Sequence, residues 1–492
     1  MRKLLPTLYL YCILSNVGIH AQGLNFNDSL YVIAPRKQVN FMVQDSIPAK
    51  VDLSMYVPSV LNQGRLGTCV GVSTAYYMRT MLEAIRLGIT DRSQIDDLRF
   101  SPSYLYNNIK QPQDSDCSQG SEINQALEYL KTQGVVRYVQ QPYPHCEANK
   151  SIQPTPDSKL LDYVRLFGFL DESVNKVLAT KKALAEMTPV VIGIQTTPSI
   201  DNLGFWGSLW RKFLRFLGVI SEEEISLWKP ETSKRLRGGH AVCVVGYDDT
   251  KFGGAFRAVN SRGAYWGDDG FFWIRYADYP QHTKYAYQAV VRPKDEADDI
   301  VLAADLTMEF NTFTTDSDVP FVRQNTRPDS LGMIAYSLLQ PQLTGTTYRF
   351  SAYLSKMSYL YILNANAPQL YTQTIYPLTD SISTLIGANT KVMLPGEQSR
   401  LTYRLSEPTG TEYLLFLFSE IPLDIRYYVS LINQGQGGFV GRVQAAFGEE
   451  LIPYQAVNYK EKKIGFELRG KHPGHIVPLL VSFQHLPRRR LF

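Results

Sequence analysis

The sequence predicts an α+β protein: a mixed region of helices and buried strands, followed by an all-β, sandwich-like region. Three observations predict this class. Val72, Ala75, Tyr76, Met78, Leu82 and Ile85 recur at helical spacings of three and four just after Cys69. Apolar runs at 188–194, 240–247, 255–260 and 270–275 have the length and content of buried strands. Beyond residue 325, Tyr348-Arg349-Phe350-Ser351-Ala352-Tyr353-Leu354 alternates at period two, and Pro and Gly punctuate the chain at Pro395-Gly396 and Pro408-Thr409-Gly410.

The elements follow in chain order. Arg2 and Lys3 precede an apolar stretch from Leu4 to Val17 that is too short to span a membrane, and Ala21 is a cleavage point. Residues 1–21 therefore read as an export signal. Tyr9-Leu10-Tyr11 before Cys12 is too bulky for a lipoprotein cleavage box. The expected location is periplasmic or extracellular. Residues 22–48 are a short lead, and 49–295 form the mixed region. It opens with a helix from Thr68 to Ile85 and continues with a second from Glu122 to Gln133, stopped by Gly134. Between the strand at 188–194 and His240 lies an aromatic and basic stretch, Phe205 to Leu217. It reads as a helix packed on its own domain, a cleft-covering lid or a membrane-surface helix. Residues 296–324 are a linker rich in Asp and Thr, and 325–492 are the β region, with buried strands at Tyr359–Asn364 and Glu412–Ser419.

Composition bounds the function. The chain has 492 residues, 44% hydrophobic and 20% charged, enough for two or three domains with sizeable cores. A net charge of +4 with no long basic run argues against nucleic-acid binding. No CxxC, HxxxH or HExxH pairing supports a metal, and no organic cofactor is implied.

Two segments carry the chemistry. Gln63-Gly64-Arg65-Leu66-Gly67-Thr68-Cys69 places a glutamine six residues before a cysteine. Gly238-Gly239-His240-Ala241-Val242 leads to Asn260-Ser261-Arg262-Gly263-Ala264-Tyr265-Trp266-Gly267. A thiol attacks as thiolate and needs a base. An imidazole base needs a group to hold its ring and tautomer. The tetrahedral intermediate needs donors on its oxyanion. Cysteine, histidine, asparagine and glutamine meet these needs. Each alone has a plainer reading, since a lone cysteine is more often a small buried hydrophobe.

The two segments resemble the papain family of cysteine peptidases. The resemblance implies Cys69 as nucleophile, His240 as general base and acid, Asn260 as its orienter and Gln63 as oxyanion donor. It implies a two-lobed peptidase fold over 49–295. Phe100-Ser101-Pro102-Ser103-Tyr104-Leu105-Tyr106 and Cys117-Ser118-Gln119-Gly120 resemble further family segments. These make Gly120, with Gln119 and Gly239, candidates for pairing with extended substrate. Cys117 and Cys146 lie where the family forms bridges, and export favours a disulfide, with two free thiols as the alternative. Cys243 reads as a buried free thiol. Val70 and Arg262 stand where the family carries tryptophan, and Leu66 where it carries a cysteine. The lead leaves no room for the family's long inhibitory prosegment.

The β region resembles a bacterial domain of unknown function appended to secreted enzymes. Its tyrosines are candidates for a protein- or glycan-binding face or for plain strand packing. The function expected is an exported cysteine peptidase, monomeric, acting on protein or peptide. A Cys-His-Asn acyl transferase or amidase, and a papain-scaffold binding protein, are the alternatives.

Overall fold

The computed structural model describes residues 23–37, 47–147, 151–204, 216–231, 236–292, 300–311, 321–325, 333–367, 371–395 and 402–488. The leader 1–21, Cys12, Gly396, and the stretch 205–215, which bears on the choice among packed helix, lid and membrane helix, lie outside them. The chain divides into two units, each discontinuous in sequence. The first contains residues 1–31, 49–160 and 187–291; the second contains 32–48, 161–186 and 292–492.

In the first unit, the chain turns helical at Cys69–Gly71, passes through a π-helical stretch Val72–Arg79, and continues as Thr80–Leu87 (together α1). Gly88, with φ +69°, closes it in the left-handed conformation that glycine adopts without a Cβ penalty. Arg79 is buried inside this helix. It is neutralised by Glu83 at 2.9 Å and caps the carbonyls of Asp157 and Ser158 at 2.7 and 2.9 Å, so the buried charge is both paired and hydrogen-bonded. Helix α2 (Pro102–Ile109) starts with Ser101 as N-cap, its hydroxyl accepting from the Tyr104 amide at 3.0 Å, and with proline in the first turn. Helix α3 (Ile123–Thr132) buries Ile123, Ala126, Leu127 and Leu130 on one face and is followed by Gly134 at φ +85°.

The strands of this unit are β1 (Lys50–Asp52), β2 (Val190–Thr196), β3 (Gly238–Asp248), β4 (Ala255–Val259), β5 (Phe271–Arg275) and β6 (Thr283–Val290). They form an antiparallel sheet in the order β6-β2-β3-β4-β5, with β1 paired to the far end of β3. Strand β3 is central, with Gly239–Tyr247 all buried. This explains why Ala241-Val242-Cys243-Val244-Val245 is continuously apolar instead of alternating. The Ser73 hydroxyl donates to the Ala241 carbonyl at 2.8 Å and ties α1 to β3. The segment after the 205–215 stretch forms a short helix at Glu222–Ser226 with a Ser221–Glu224 capping box, then packs Leu227 against Ala255 and Trp273.

In the second unit, two sheets face each other. One runs in the order 372–376, 358–366, 410–419, 476–486, 334–338, 321–325; the other 390–394, 347–354, 300–310, 465–469, 457–459. Their inner faces meet through Phe350–Phe416 and Phe418–Phe466, both at 5.1 Å between ring centres, and Phe310–Phe483 at 5.7 Å. This is a β-sandwich.

Three details differ from the sequence reading. Strand Ile300–Phe310 stands where a linker was expected and pairs with two neighbours, burying Leu302, Ala304, Leu306, Met308 and Phe310 on one face. Helices Ile425–Gln434 and Phe439–Phe447 interrupt a region expected to be purely β. The tyrosines considered as a binding face contribute largely to the interior. Tyr336, Tyr348, Tyr359, Tyr361, Tyr376 and Tyr459 are buried, with the Tyr336, Tyr376 and Tyr459 hydroxyls donating to the carbonyls of Gly465, Ser383 and Pro478.

Candidate active site

Cys69 sits at the first turn of α1, fully buried, with the helix behind it. Backbone N–H groups of Ala241, Gly23, Val70 and Cys69 itself point at its sulfur; the Ala241 amide lies 3.4 Å from Sγ. Donors aimed at a sulfur favour its thiolate, as does a helix N-terminus. Burial opposes them and wins: the thiol is pushed up to about 11 from an ordinary 9.0, chiefly by desolvation. In this conformation Cys69 is a thiol at neutral pH. The helix N-terminus does not offset the desolvation, because the sulfur is fully buried.

His240 lies on β3 and Asn260 just past β4, at the corner whose amide bonds the Gly270 carbonyl at 2.9 Å. His240 Nε2 and Asn260 Oδ1 are 2.8 Å apart. Asn260 Oδ1 also accepts the Ser261 backbone N–H at 2.8 Å, which fixes the amide with its oxygen toward the ring. Nε2 must then be the protonated nitrogen, and the neutral ring carries its lone pair on Nδ1. Tyr77, from α1, donates to the Asn260 carbonyl at 2.9 Å and receives the Leu61 amide at 3.1 Å, locking the corner to the loop before Gln63.

Gln63 is buried in that loop. Its backbone N–H bonds the Ser261 carbonyl at 2.8 Å, its Nε2 donates to the Leu66 carbonyl at 2.7 Å, and its Oε1 accepts from the Ser261 hydroxyl. Tyr143 donates to the Gln63 carbonyl and meets the Thr68 hydroxyl, each at 2.8 Å. Cys69, His240, Asn260 and Gln63 thus belong to one constellation. Ser261 and Tyr143, which the sequence reading did not single out, hold it. Cys117 and Cys146 are joined by a disulfide. Cys243 is a buried free thiol on β3, raised far more strongly than Cys69, with desolvation as the only cause.

The cleft contains a segment of its own chain. Leu24 forms a parallel bridge with Ser121 and an antiparallel bridge with Gly239. The Ser121 amide donates to the Gly23 carbonyl at 2.9 Å, the Asn25 amide to the Ser121 carbonyl at 2.9 Å, and the Leu24 amide to the Gly239 carbonyl at 3.2 Å. The Asn25 side chain reaches the Gln119 carbonyl at 3.0 Å. Residues 28–33 then form a helix, in which Tyr31 stacks on Tyr285 at 4.4 Å and Asp28 accepts from Lys284 at 2.8 Å. The lead, read in the sequence as too short for the family's long prosegment, thus places residues 23–25 between Ser121 and Gly239. The fit depends on glycine: a Cβ on Gly23 would lie 1.9 Å from the Gly67 carbonyl oxygen, and one on Gly239 would lie 2.4 Å from the Leu24 oxygen. Gln119 and Gly239 both contact this strap. Gly120 packs on the strap, where a Cβ would lie 2.6 Å from the Gly23 oxygen; its amide bonds the Tyr106 hydroxyl at 3.0 Å, and the adjacent Ser121 makes the backbone hydrogen bonds. Gly23 presents its N–H to Sγ.

Residues 47–291 match the model of the papain family cysteine proteases, and residues 344–422 match a domain of unknown function (DUF4384). No curated protein matches the chain. Among solved structures the chain is similar to xylellain, a cysteine protease from Xylella fastidiosa (22% identity over 55% of this chain and 96% of that one, TM-score 0.38). It is also similar to digestive procathepsin L 3 of Tenebrio molitor (20%, 55% and 83%, TM-score 0.37) and to bromelain from Ananas comosus (17%, 50% and 100%, TM-score 0.36). The family model spans both segments that hold Gln63, Cys69, His240 and Asn260, and through it residues 47–291 belong to the papain family of cysteine proteases.

Proposed function

We propose that the protein is an exported cysteine peptidase using Cys69, His240, Asn260 and Gln63, kept silent by its own residues 23–26. One observation carries the mechanism: the Ser261 N–H fixes Asn260, Asn260 fixes His240 as the Nε2–H tautomer, and the Nδ1 lone pair then belongs to the nitrogen that would take the thiol proton. Cys69 would attack a peptide carbonyl, giving an acyl-enzyme as His240 protonates the leaving amine. His240 would then activate water. Gln63 Nε2 and the Cys69 amide would hold the oxyanion.

Support for latency comes from the strap's bridges and from the sealed thiol. Support for export comes from the leader-like residues 1–21 and from the Cys117–Cys146 disulfide, which suits an oxidising compartment. Cleavage after Ala21 would leave the strap on the mature chain.

The test is epoxysuccinyl labelling at about pH 6–7, where an ordinary thiol is protonated. Native protein, Cys69→Ala, His240→Ala and a variant lacking residues 22–27 are compared. Labelling that is slow in native protein, fast without the strap and absent in Cys69→Ala supports the reading. Equally slow labelling with and without the strap, unaffected by His240→Ala, sinks it. Amino-terminal sequencing of the secreted protein tests export.

A further inference from the structure

The cleft wall that meets the strap is propped from behind by a buried phenol. Tyr106, on α2, is fully buried; its hydroxyl oxygen accepts from the Gly120 amide at 3.0 Å, and the hydroxyl donates to Asp114 Oδ2 at 2.6 Å. That length is the one expected of a charge-assisted O–H···O⁻ bond. Asp114 is 1% exposed. Its other oxygen accepts the Ser118 amide at 3.0 Å, and its own amide donates to the Gln111 carbonyl at 3.0 Å. A buried carboxylate is costly unless hydrogen-bonded, and both oxygens are bonded here. One carboxylate therefore fastens the phenol to the backbone of the wall. Gly120 stands at φ +79°: its amide points back at Tyr106, and the direction a Cβ would take ends 2.6 Å from the Gly23 carbonyl oxygen. The wall is also closed on the loop before Cys69. The Gly67 amide donates to the Cys117 carbonyl at 2.7 Å, and a Cβ on Gly67 would lie 2.9 Å from the Gly120 nitrogen.

Ser121, the next residue, gives its amide to the Gly23 carbonyl and takes the Asn25 amide, each at 2.9 Å, and the Gly239 carbonyl accepts the Leu24 amide. These backbone groups hold one extended strand at a time, so a peptide pairs with them only when residues 23–25 have left. We propose that Tyr106 and Asp114 are positioning residues of this wall: the phenol, fixed by the carboxylate, sets the place of Gly120 and Ser121, and with it how firmly the strap or an extended peptide is held beside Cys69. The proposal rests on Cys69 as the nucleophile and on residues 23–26 as its cover. Without the phenol oxygen the Gly120 N–H is left without its acceptor, and the wall must shift to satisfy it. That shift takes Ser121 out of register with whichever strand lies there. The prop therefore has opposite consequences in two states. It slows the covered enzyme by holding the strap, and it assists the uncovered one by holding the peptide.

The test places Tyr106→Phe and Asp114→Asn on the full chain in two backgrounds, native and Gly23→Val, whose valine cannot fit against Gly67. Two probes are used at about pH 8, with Cys69→Ala as blank. A small neutral haloacetamide needs only the thiol; a peptidyl epoxysuccinate also needs the wall. With the strap in place, Tyr106→Phe is expected to speed haloacetamide labelling roughly fivefold, as the loss of one hydrogen bond would. In the Gly23→Val background it is expected to raise the half-saturating concentration of the epoxysuccinate roughly fivefold, with its limiting rate and the haloacetamide rate unchanged. Asp114→Asn, which keeps one acceptor, should move the same readouts in the same directions by less. These paired shifts support the proposal. No shift in either background overturns it, and so does a fall in the limiting rate, which loosened packing around Cys69 would give. The two parents judge the underlying reading separately: equal haloacetamide rates in native and Gly23→Val protein refute the strap as cover, while the half-saturating concentration still decides whether Tyr106 positions the wall.

Discussion

The two units each bury a histidine, and the contrast between them shows what makes a site. His240 in the first unit bonds a neutral amide, Asn260, at 2.8 Å. His485 in the second is held between the Glu412 carboxylate at 3.0 Å and the Thr344 hydroxyl at 2.9 Å, a hydroxyl–imidazole–carboxylate row with triad-like spacing. Yet His485 and Glu412 lie on paired strands, and two asparagines, Asn364 and Asn366, cap the carboxylate. That network is satisfied inside a sheet. His240 differs in its surroundings: a sulfur at a helix N-terminus, amides aimed at that sulfur, and a cleft that accepts an extended strand. Both histidines are hydrogen-bonded and buried; only His240 lies beside a sulfur with backbone donors aimed at it and a neighbouring extended strand.

Replacing the histidines breaks the comparison most directly. In the variant lacking residues 22–27, His240→Ala or Cys69→Ala should reduce peptide hydrolysis by roughly 10⁴-fold or more. His485→Ala should leave hydrolysis intact and cost about 1–3 kcal/mol in denaturant unfolding, because a buried carboxylate loses a donor. A loss of activity in His485→Ala would erase the distinction. Next in size, Gln63→Ala should lower kcat by roughly 10²–10³-fold if its amide serves the oxyanion.

The strap sharpens the contrast through pH. With residues 23–26 in place, the Cys69 thiol is pushed up to about 11, so its alkylation should rise about tenfold per pH unit throughout the neutral range. Gly23→Val, which cannot fit against Gly67, should let water in and move the midpoint down. The same burial predicts the sign of a stability effect. A thiol whose folded value exceeds its ordinary 9.0 holds its proton longer when folded, so its contribution is complete below pH 9.0 and is lost as pH rises toward 11. Unfolding followed between these limits in native and Cys69→Ser protein checks it, the native chain losing more. The smallest effect is expected from Ser261→Ala. It removes one hydrogen bond to Gln63, about 1 kcal/mol, and should appear as a several-fold drop in kcat with KM unchanged.

Much of the site was legible because its parts are local. Gln63 and Cys69 lie on one loop and one helix start, and His240 opens a strand whose unbroken apolar run marks it as central. The strand at Ile300–Phe310 was legible too, in the alternation of Leu302, Ala304, Leu306, Met308 and Phe310, but its Asp and Thr residues disguised it as a linker. The helix at 425–434 was legible as well, in Ile425, Tyr428, Val429 and Ile432 at helical spacings behind an Asp424 N-cap, but it lies among strand-like segments that masked it and the helix 439–447 it packs with. Ser261 and Tyr143 act through Gln63, a partner that only folding brings near.

The sequence by itself determined the reaction chemistry available to this protein, since a thiol, an imidazole and two amides at family-like spacing define which atoms can attack, take a proton and donate. The tertiary structure decided whether those atoms are in use. Gly23 and Leu24 are unremarkable in the sequence, but the fold threads them between Ser121 and Gly239 and brings the Gly23 N–H to a sulfur that is fully buried. Burial depends on what lies over an atom, and that is settled only when distant parts of the chain meet.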